Sequence, residues 1–165
     1  MPELPEVQTI VSGLRDKVIG KKIISLEELR PQTIRNFIGK DILDFGIISE
    51  ISRRGKYIII GTSKRIIFII HLRMTGKLIY NTEFEYLSFH ARALFLFSDE
   101  TKLIFDDTRA FGKIDIYKQN DKIESLEKLG PEPLLEKYNE KYLQKIFHQR
   151  KSPVKNLLLN QSIVA

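Results

Sequence analysis

The chain has 165 residues, 42% of them hydrophobic, and carries 27 Lys and Arg against 21 Asp and Glu for a net charge of +6. That composition excludes a disordered polyelectrolyte and allows one good-sized domain, alone or with a small appendage. There is no cysteine, which excludes disulfides and cysteine-based zinc sites within these residues, while the positive balance favours a polyanionic partner, nucleic acid being the commonest.

The opening MPELPEV has two acids and no apolar core, so it is not a signal peptide. A helix is predicted over Pro5–Val18, with Val7, Ile10, Val11, Leu14 and Val18 on one face and Gly20 as its stop. Strands follow at Lys22–Leu29, Gly46–Arg53, Lys56–Gly61, Arg65–Leu72, Lys77–Tyr80, Ala91–Phe97, Lys102–Phe105 and Lys113–Tyr117. Turn signals such as Arg54-Gly55, Thr75-Gly76 and Ser98-Asp99-Glu100 separate them, and the spacing predicts an antiparallel β-sandwich. The segment Thr33–Asp44 fits neither pattern clearly. Arg65–Leu72 is the most apolar stretch and is too short to cross a bilayer, so a cytoplasmic protein without membrane contact is expected.

Gly130-Pro131-Glu132-Pro133 reads as a boundary, giving a domain at 1–130 and a second at 131–165. In the second, a helix is predicted over Glu140–His148. Another starts near Pro153, carries Val154, Leu157, Leu158 and Ile163, and runs to the end of the chain, with Gln149–Ser152 as linker. A helical domain stopping there is expected to be truncated or docked on a partner. His71, His90 and His148 have no metal-ligand spacing.

Pro2 opens the chemistry. Once Met1 is removed, a proline at the terminus is a secondary amine, and α-amino groups titrate near ~8. Such an amine can attack an electrophilic carbon and form an iminium, as a lysine Schiff base does. Glu3 places a carboxylate beside it that could carry a proton. Glu6 lies one helical turn on and could orient the amine or cap the helix. An inert proline and ordinary helix-start acids are the alternative reading. A tautomerase, which also begins Met-Pro, would continue into a strand rather than a helix.

MPELPEV, SRRGKYIII (52–60), HLRMTGKL (71–78), DTRAFGK (107–113) and LGPEPL (129–134), taken in order, resemble the formamidopyrimidine-DNA glycosylase family. KNLLLNQSIVA (155–165) is similar to the start of the family's helix-two-turns-helix element. The resemblance implies an α+β fold: an N-terminal antiparallel β-sandwich with a long N-terminal helix, then the first helices of that element. It implies base-excision repair of oxidised purines such as 8-oxoguanine and formamidopyrimidines, through a Schiff base on the N-terminal proline, followed by β,δ-elimination at the abasic site. By resemblance, Pro2 attacks C1′ of an extruded nucleotide, Glu3 handles the protons, and Lys56 sits near the damaged base and its phosphates. Met74, Arg109 and Phe111 correspond to the residues that fill the vacated stack, as apolar wedges and a guanidinium can. His71, His90, Arg109, Arg150 and Lys155 are candidate phosphate contacts. A satisfied structural histidine or a solvated basic face is the plainer reading of these positions.

The match departs in three places. His90-Ala91-Arg92 stands where the family has His-Asp-His, and Arg73 where many members have glycine before the methionine. The family's later helices and its four-cysteine zinc finger have no counterpart in these 165 residues, so no cofactor is expected in this chain. The expected partners are damaged double-stranded DNA and the missing C-terminal half of the same enzyme, with the protein otherwise a monomer. A non-catalytic DNA-binding remnant is the alternative function.

Overall fold

The computed structural model describes residues 2–39, 42, 44–82, 87–148 and 150–165. Met1, parts of the Thr33–Asp44 segment and Gln149 of the predicted linker lie outside them. The chain divides into two compact units, Met1–Asp121 and Lys122–Ala165.

In the first unit, helix α1 (Leu4–Val18) buries Val7, Val11, Leu14 and Val18, one stripe at helical spacing. Proline in its first turn costs no intrahelical hydrogen bond. The helix stops where Ile19 turns extended and Gly20 takes a φ of 83°. Among the described residues nine strands follow: β1 (Ile23–Glu28), β2 (Ile34–Asn36), β3 (Ile48–Arg54), β4 (Tyr57–Thr62), β5 (Ile66–His71), β6 (Gly76–Asn81), β7 (Ala91–Phe97), β8 (Lys102–Asp107) and β9 (Lys113–Lys118). They form a four-stranded sheet, β1-β7-β8-β6, and a five-stranded sheet, β2-β9-β5-β4-β3.

Alternation along the strands sends one side chain in two towards the other sheet. Ile51, Ile60, Phe68 and Ile116 lie in register across β3, β4, β5 and β9, all buried. On the facing sheet, Tyr80, Leu103, Phe95 and Leu26 form the matching row. The rows meet where the Phe68 and Phe95 rings pack edge to face at 5.2 Å. Each such phenylalanine contributes roughly 1.5–3 kcal/mol by burial. All pairs are antiparallel except β2 with β9. This short parallel strand comes from the ambiguous Thr33–Asp44 segment. Side chains in and just after it hold it: Arg35 binds Asp115 with two hydrogen bonds of 2.6 and 2.5 Å, and Phe37 stacks on Tyr117 at 4.5 Å.

Two connections bear on function. β5 to β6 and β8 to β9 both pass from one sheet to the other. They do so at one end of the sandwich, because Gly76 pairs with Asp107 and His71 with Lys113.

Among its described residues the second unit has three short helices, α2 (Glu124–Glu127), α3 (Glu140–His148) and α4 (Val154–Leu158). Asn139 caps α3, its Oδ1 accepting the Tyr142 N–H at 3.1 Å. Gly130 and Pro131, read from the sequence as a boundary, pack inside this unit. The Gly130 N–H donates to the Gln161 carbonyl at 2.8 Å, and the Ala165 N–H donates to the Pro131 carbonyl at 3.1 Å. The helix predicted to run from Pro153 to the chain end stops at Leu158 instead. Asn160 ends that stretch: its Oδ1 accepts both the Ser162 N–H and the Ser162 hydroxyl, an arrangement that competes with helix.

Candidate active site

The start of α1 is fastened to the β3–β4 hairpin. Arg53 Nε donates to Gln8 Oε1 at 3.0 Å, while its Nη1 donates to the Gly55 carbonyl at 2.9 Å. Gly55, with a φ of 56°, takes the first central position of this two-residue turn, where a left-handed φ is needed. Lys56 is the second. Its Nζ reaches across to Glu3 Oε2 at 2.5 Å, so residues 53 positions apart in sequence share one ion pair. The Lys56 side chain is only 15% exposed, whereas that of Glu3 is 53% exposed, so the carboxylate remains open to an incoming group. Glu6 Oε2 accepts the Glu3 N–H at 3.0 Å, half of a capping box. Glu6 thereby orders the helix start. Pro2 stands just outside the helix and is partly exposed.

His71, at the end of β5, sits beside this cluster. Tyr57, the neighbour of Lys56, packs edge-on against its ring at 4.6 Å. Its Nδ1 accepts the Arg73 N–H at 3.0 Å, which leaves the proton on Nε2 in the neutral ring. Burial first, then the charges of Arg73 and Lys56, push its pKa down to about 4. At neutral pH it is an uncharged donor.

The second cluster lies on the two crossing connections. Met74 (46% exposed) and Phe111 (54%) stand out of the rim, each leaving about half of its apolar surface to solvent. Arg109 lies between them, its Nη1 3.1 Å from Met74 Sδ and its guanidinium 5.6 Å from the centre of the Phe111 ring. The three residues predicted to act together are thus in contact. Their loops are strained: Arg73 and Ala110 have φ values of 55° and 54°, uncommon outside glycine.

What holds that strain is Asp107, which sequence reasoning missed. It is fully buried. Its Oδ1 accepts the Thr75 hydroxyl and, at 3.2 Å, the Arg109 N–H; its Oδ2 accepts the Gly112 N–H at 2.8 Å. One carboxylate therefore ties both connections together. Gly112 is obligatory at this approach, since a Cβ there would stand 2.4 Å from Phe105 Cζ. The available signal was an aspartate heading a turn-like Asp-Thr-Arg-Ala, which commonly accepts backbone N–H groups two residues on.

His90 and Arg92 lie on the same rim. Arg92 Nε donates to the Asp107 carbonyl at 2.7 Å, and its Nη2 lies 3.5 Å from His90 Nδ1. Arg150 and Lys155 are exposed residues of the second unit. Among the described residues no group of three His, Cys, Asp or Glu side chains could hold a metal ion, and no helix is long and apolar enough to cross a membrane.

Comparison with known proteins places this arrangement. The model of the formamidopyrimidine-DNA glycosylase N-terminal domain matches residues 1–114. The formamidopyrimidine-DNA glycosylase of Wolbachia pipientis subsp. Culex pipiens is 39% identical over 168 residues, covering 99% of this chain and 61% of the relative. That of Ligilactobacillus salivarius is 39% identical over 171 residues, covering 100% and 61%. Among solved structures, the Lactococcus lactis enzyme bound non-covalently to DNA containing an AP site superposes with a TM-score of 0.88 at 34% identity, over 99% of this chain and 64% of that one. A protein named MutM, in complex with DNA containing carbocyclic 8-oxo-G, gives a TM-score of 0.89 at 34% identity, over 99% and 62%. The chain spans about three fifths of the length of these relatives.

Proposed function

The chain belongs to the formamidopyrimidine-DNA glycosylase family, and from that premise we propose that it serves base-excision repair of DNA, acting on oxidised purines through the N-terminal proline. The observation that carries this reading is the Glu3–Lys56 pair beside Pro2. Pro2, whose nitrogen is the nucleophile in this reading, precedes a carboxylate open to one side, and that carboxylate pairs with a largely buried ammonium where the first helix meets the β3–β4 turn.

In this reading the Pro2 nitrogen attacks C1′ of an extruded nucleotide. A C1′–N bond forms, the glycosidic bond breaks, and the departing base takes up a proton. The sugar ring opens to an iminium on Pro2. Loss of a C2′ proton then expels the 3′-phosphate, and a second elimination expels the 5′-phosphate. Glu3 is placed to move these protons, and Lys56 offers its positive charge to a phosphate or to the lesion. Met74, Arg109 and Phe111 fill the space left in the stack, offsetting an unstacking cost of about a few kcal/mol. His71, neutral, donates a hydrogen bond through Nε2, and His90, Arg150 and Lys155 add contacts to the backbone. The partner is damaged duplex DNA, with the remaining two fifths of the relatives' length supplying the other wall of the cleft.

The test is borohydride trapping of the purified chain, with its initiator methionine removed, on duplex DNA carrying an abasic site or 8-oxoguanine. A covalent adduct lost in Pro2→Gly and on N-terminal acetylation is the expected result. DNA binding with no adduct at either lesion would overturn the catalytic reading and leave a DNA-binding protein.

A further inference from the structure

Arg92 has more to do than neutralise charge. From the middle of the rim its guanidinium spans two successive carbonyls, donating from Nε to Asp107 at 2.7 Å and from Nη2 to Thr108 at 3.4 Å. The same Nη2 lies 3.5 Å from His90 Nδ1. The backbone it grips is the first part of the loop that carries Arg109 and Phe111. Arg92 is itself fixed from behind, since its own carbonyl accepts the N–H groups of Leu29 and Arg30 at 2.9 and 3.2 Å. That loop needs holding. Ala110 sits at a φ of 54°, and such conformations persist only when the surroundings over-determine them. The Asp107 carboxylate restrains the loop from one side, through the N–H groups of Arg109 and Gly112. Arg92 restrains it from the other, through the carbonyls. A planar fork suits two adjacent acceptors, whereas a lysine would engage them as a single point charge.

We propose that Arg92 is a positioning residue for DNA engagement: it fixes the 107–111 loop so that Arg109 and Phe111 enter the duplex as one preformed unit. This deepens the DNA reading given above and rests on it. Arg92 acts here through protein carbonyls, not through a phosphate.

The experiment uses the full 165-residue chain and a duplex with 2-aminopurine opposite a tetrahydrofuran abasic analogue. Anisotropy gives the affinity, and 2-aminopurine fluorescence at saturating protein reports whether the stack opposite the gap has been entered. Arg92→Lys and Arg92→Ala are compared with Arg109→Ala. Both Arg92 variants are expected to bind within about threefold of the parent, because the phosphate contacts lie elsewhere. Both are expected to lose most of the fluorescence change at saturation, as Arg109→Ala does. If Arg92→Ala does not fold, Arg92→Lys carries the test, since it keeps the charge and loses the fork. A parental fluorescence change in Arg92→Lys overturns the proposal and leaves the DNA reading standing. The same holds for weaker binding with an unchanged signal at saturation, which would make Arg92 a phosphate contact. Failure of the parent to bind the duplex removes the DNA reading, and the proposal with it.

Discussion

Lys56 Nζ lies 2.5 Å from Glu3 Oε2, an ion pair that joins the first turn of α1 to the tip of the β3–β4 hairpin. The contact does two things. It places an ammonium beside the terminal residues, and it holds the Glu3 carboxylate in one position while leaving half of it open to solvent.

The first prediction concerns that carboxylate. Glu3→Gln keeps the shape and loses the carboxylate proposed above to carry protons. General acid–base catalysis contributes typically ~10²–10⁴-fold, so base release in single-turnover assays is expected to slow by at least ~10²-fold. DNA affinity should change by less than about threefold. Unaltered base release would remove Glu3 from the chemistry.

His71 sets a pH dependence of stability. Its folded pKa of about 4 lies below the ordinary value of 6.5. As pH falls through 6.5 the unfolded chain takes up a proton at this site and the folded chain does not, so stability falls with pH. The loss levels off below about 4, where the folded ring also protonates. It amounts to a few kcal/mol at most, on the order of 1.4 kcal/mol per unit. Thermal melts of His71→Gln between these limits should show a shallower slope than the parent, and an identical slope would refute the assignment.

Two glycines separate close approach from open space. Gly112→Ala drives a Cβ to 2.4 Å from Phe105 Cζ and 3.1 Å from Asp107 Oδ2. A loss of about 1–3 kcal/mol in urea unfolding is expected. Gly13→Ala, inside α1 with nothing within 4 Å of the new methyl, is expected to stabilise by roughly 0.5–1 kcal/mol. Equal effects at the two sites would contradict close packing at Gly112 and open space at Gly13.

Salt dependence distinguishes phosphate contacts from base contacts. Removing one phosphate contact reduces the slope of log K against log salt by roughly 0.9. Lys56→Met is expected to reduce it by about that amount. Arg109→Ala, whose guanidinium lies between Met74 and Phe111, should weaken binding with little change in slope. The reverse pattern would exchange the two roles.

Most of the fold was legible because period and punctuation agreed. Ala91–Phe97 and Glu140–His148 have the bounds predicted for them, and the other strands differ at their ends by two residues or fewer. Tertiary partners decided the rest. Ile34–Asn36 is too short to carry a period of its own and becomes a strand through Asp115 and Tyr117. The helix after Pro153 was overextended because the apolar Ile163-Val164-Ala165 follows with no glycine or proline to stop it, while Asn160 breaks the backbone pattern before them. At the candidate site, Pro2 and Glu3 drew attention by their own chemistry, whereas Lys56, Met74, Arg109 and Phe111 were singled out by the family resemblance. Asp107 and Thr75 were not, because a buried hydrogen-bond hub resembles any turn aspartate until its partners are known.

Met74 and the Arg109–Phe111 pair ride on two of the chain segments that cross between the sheets, both at the same end of the sandwich. A duplex gripping both segments would therefore act as a clasp on the seam between the layers, resisting their separation as the protein melts. Occupancy would then register as heat tolerance. For a ligand that binds only the folded chain, an excess of about a hundredfold over Kd raises stability by about 2.7 kcal/mol.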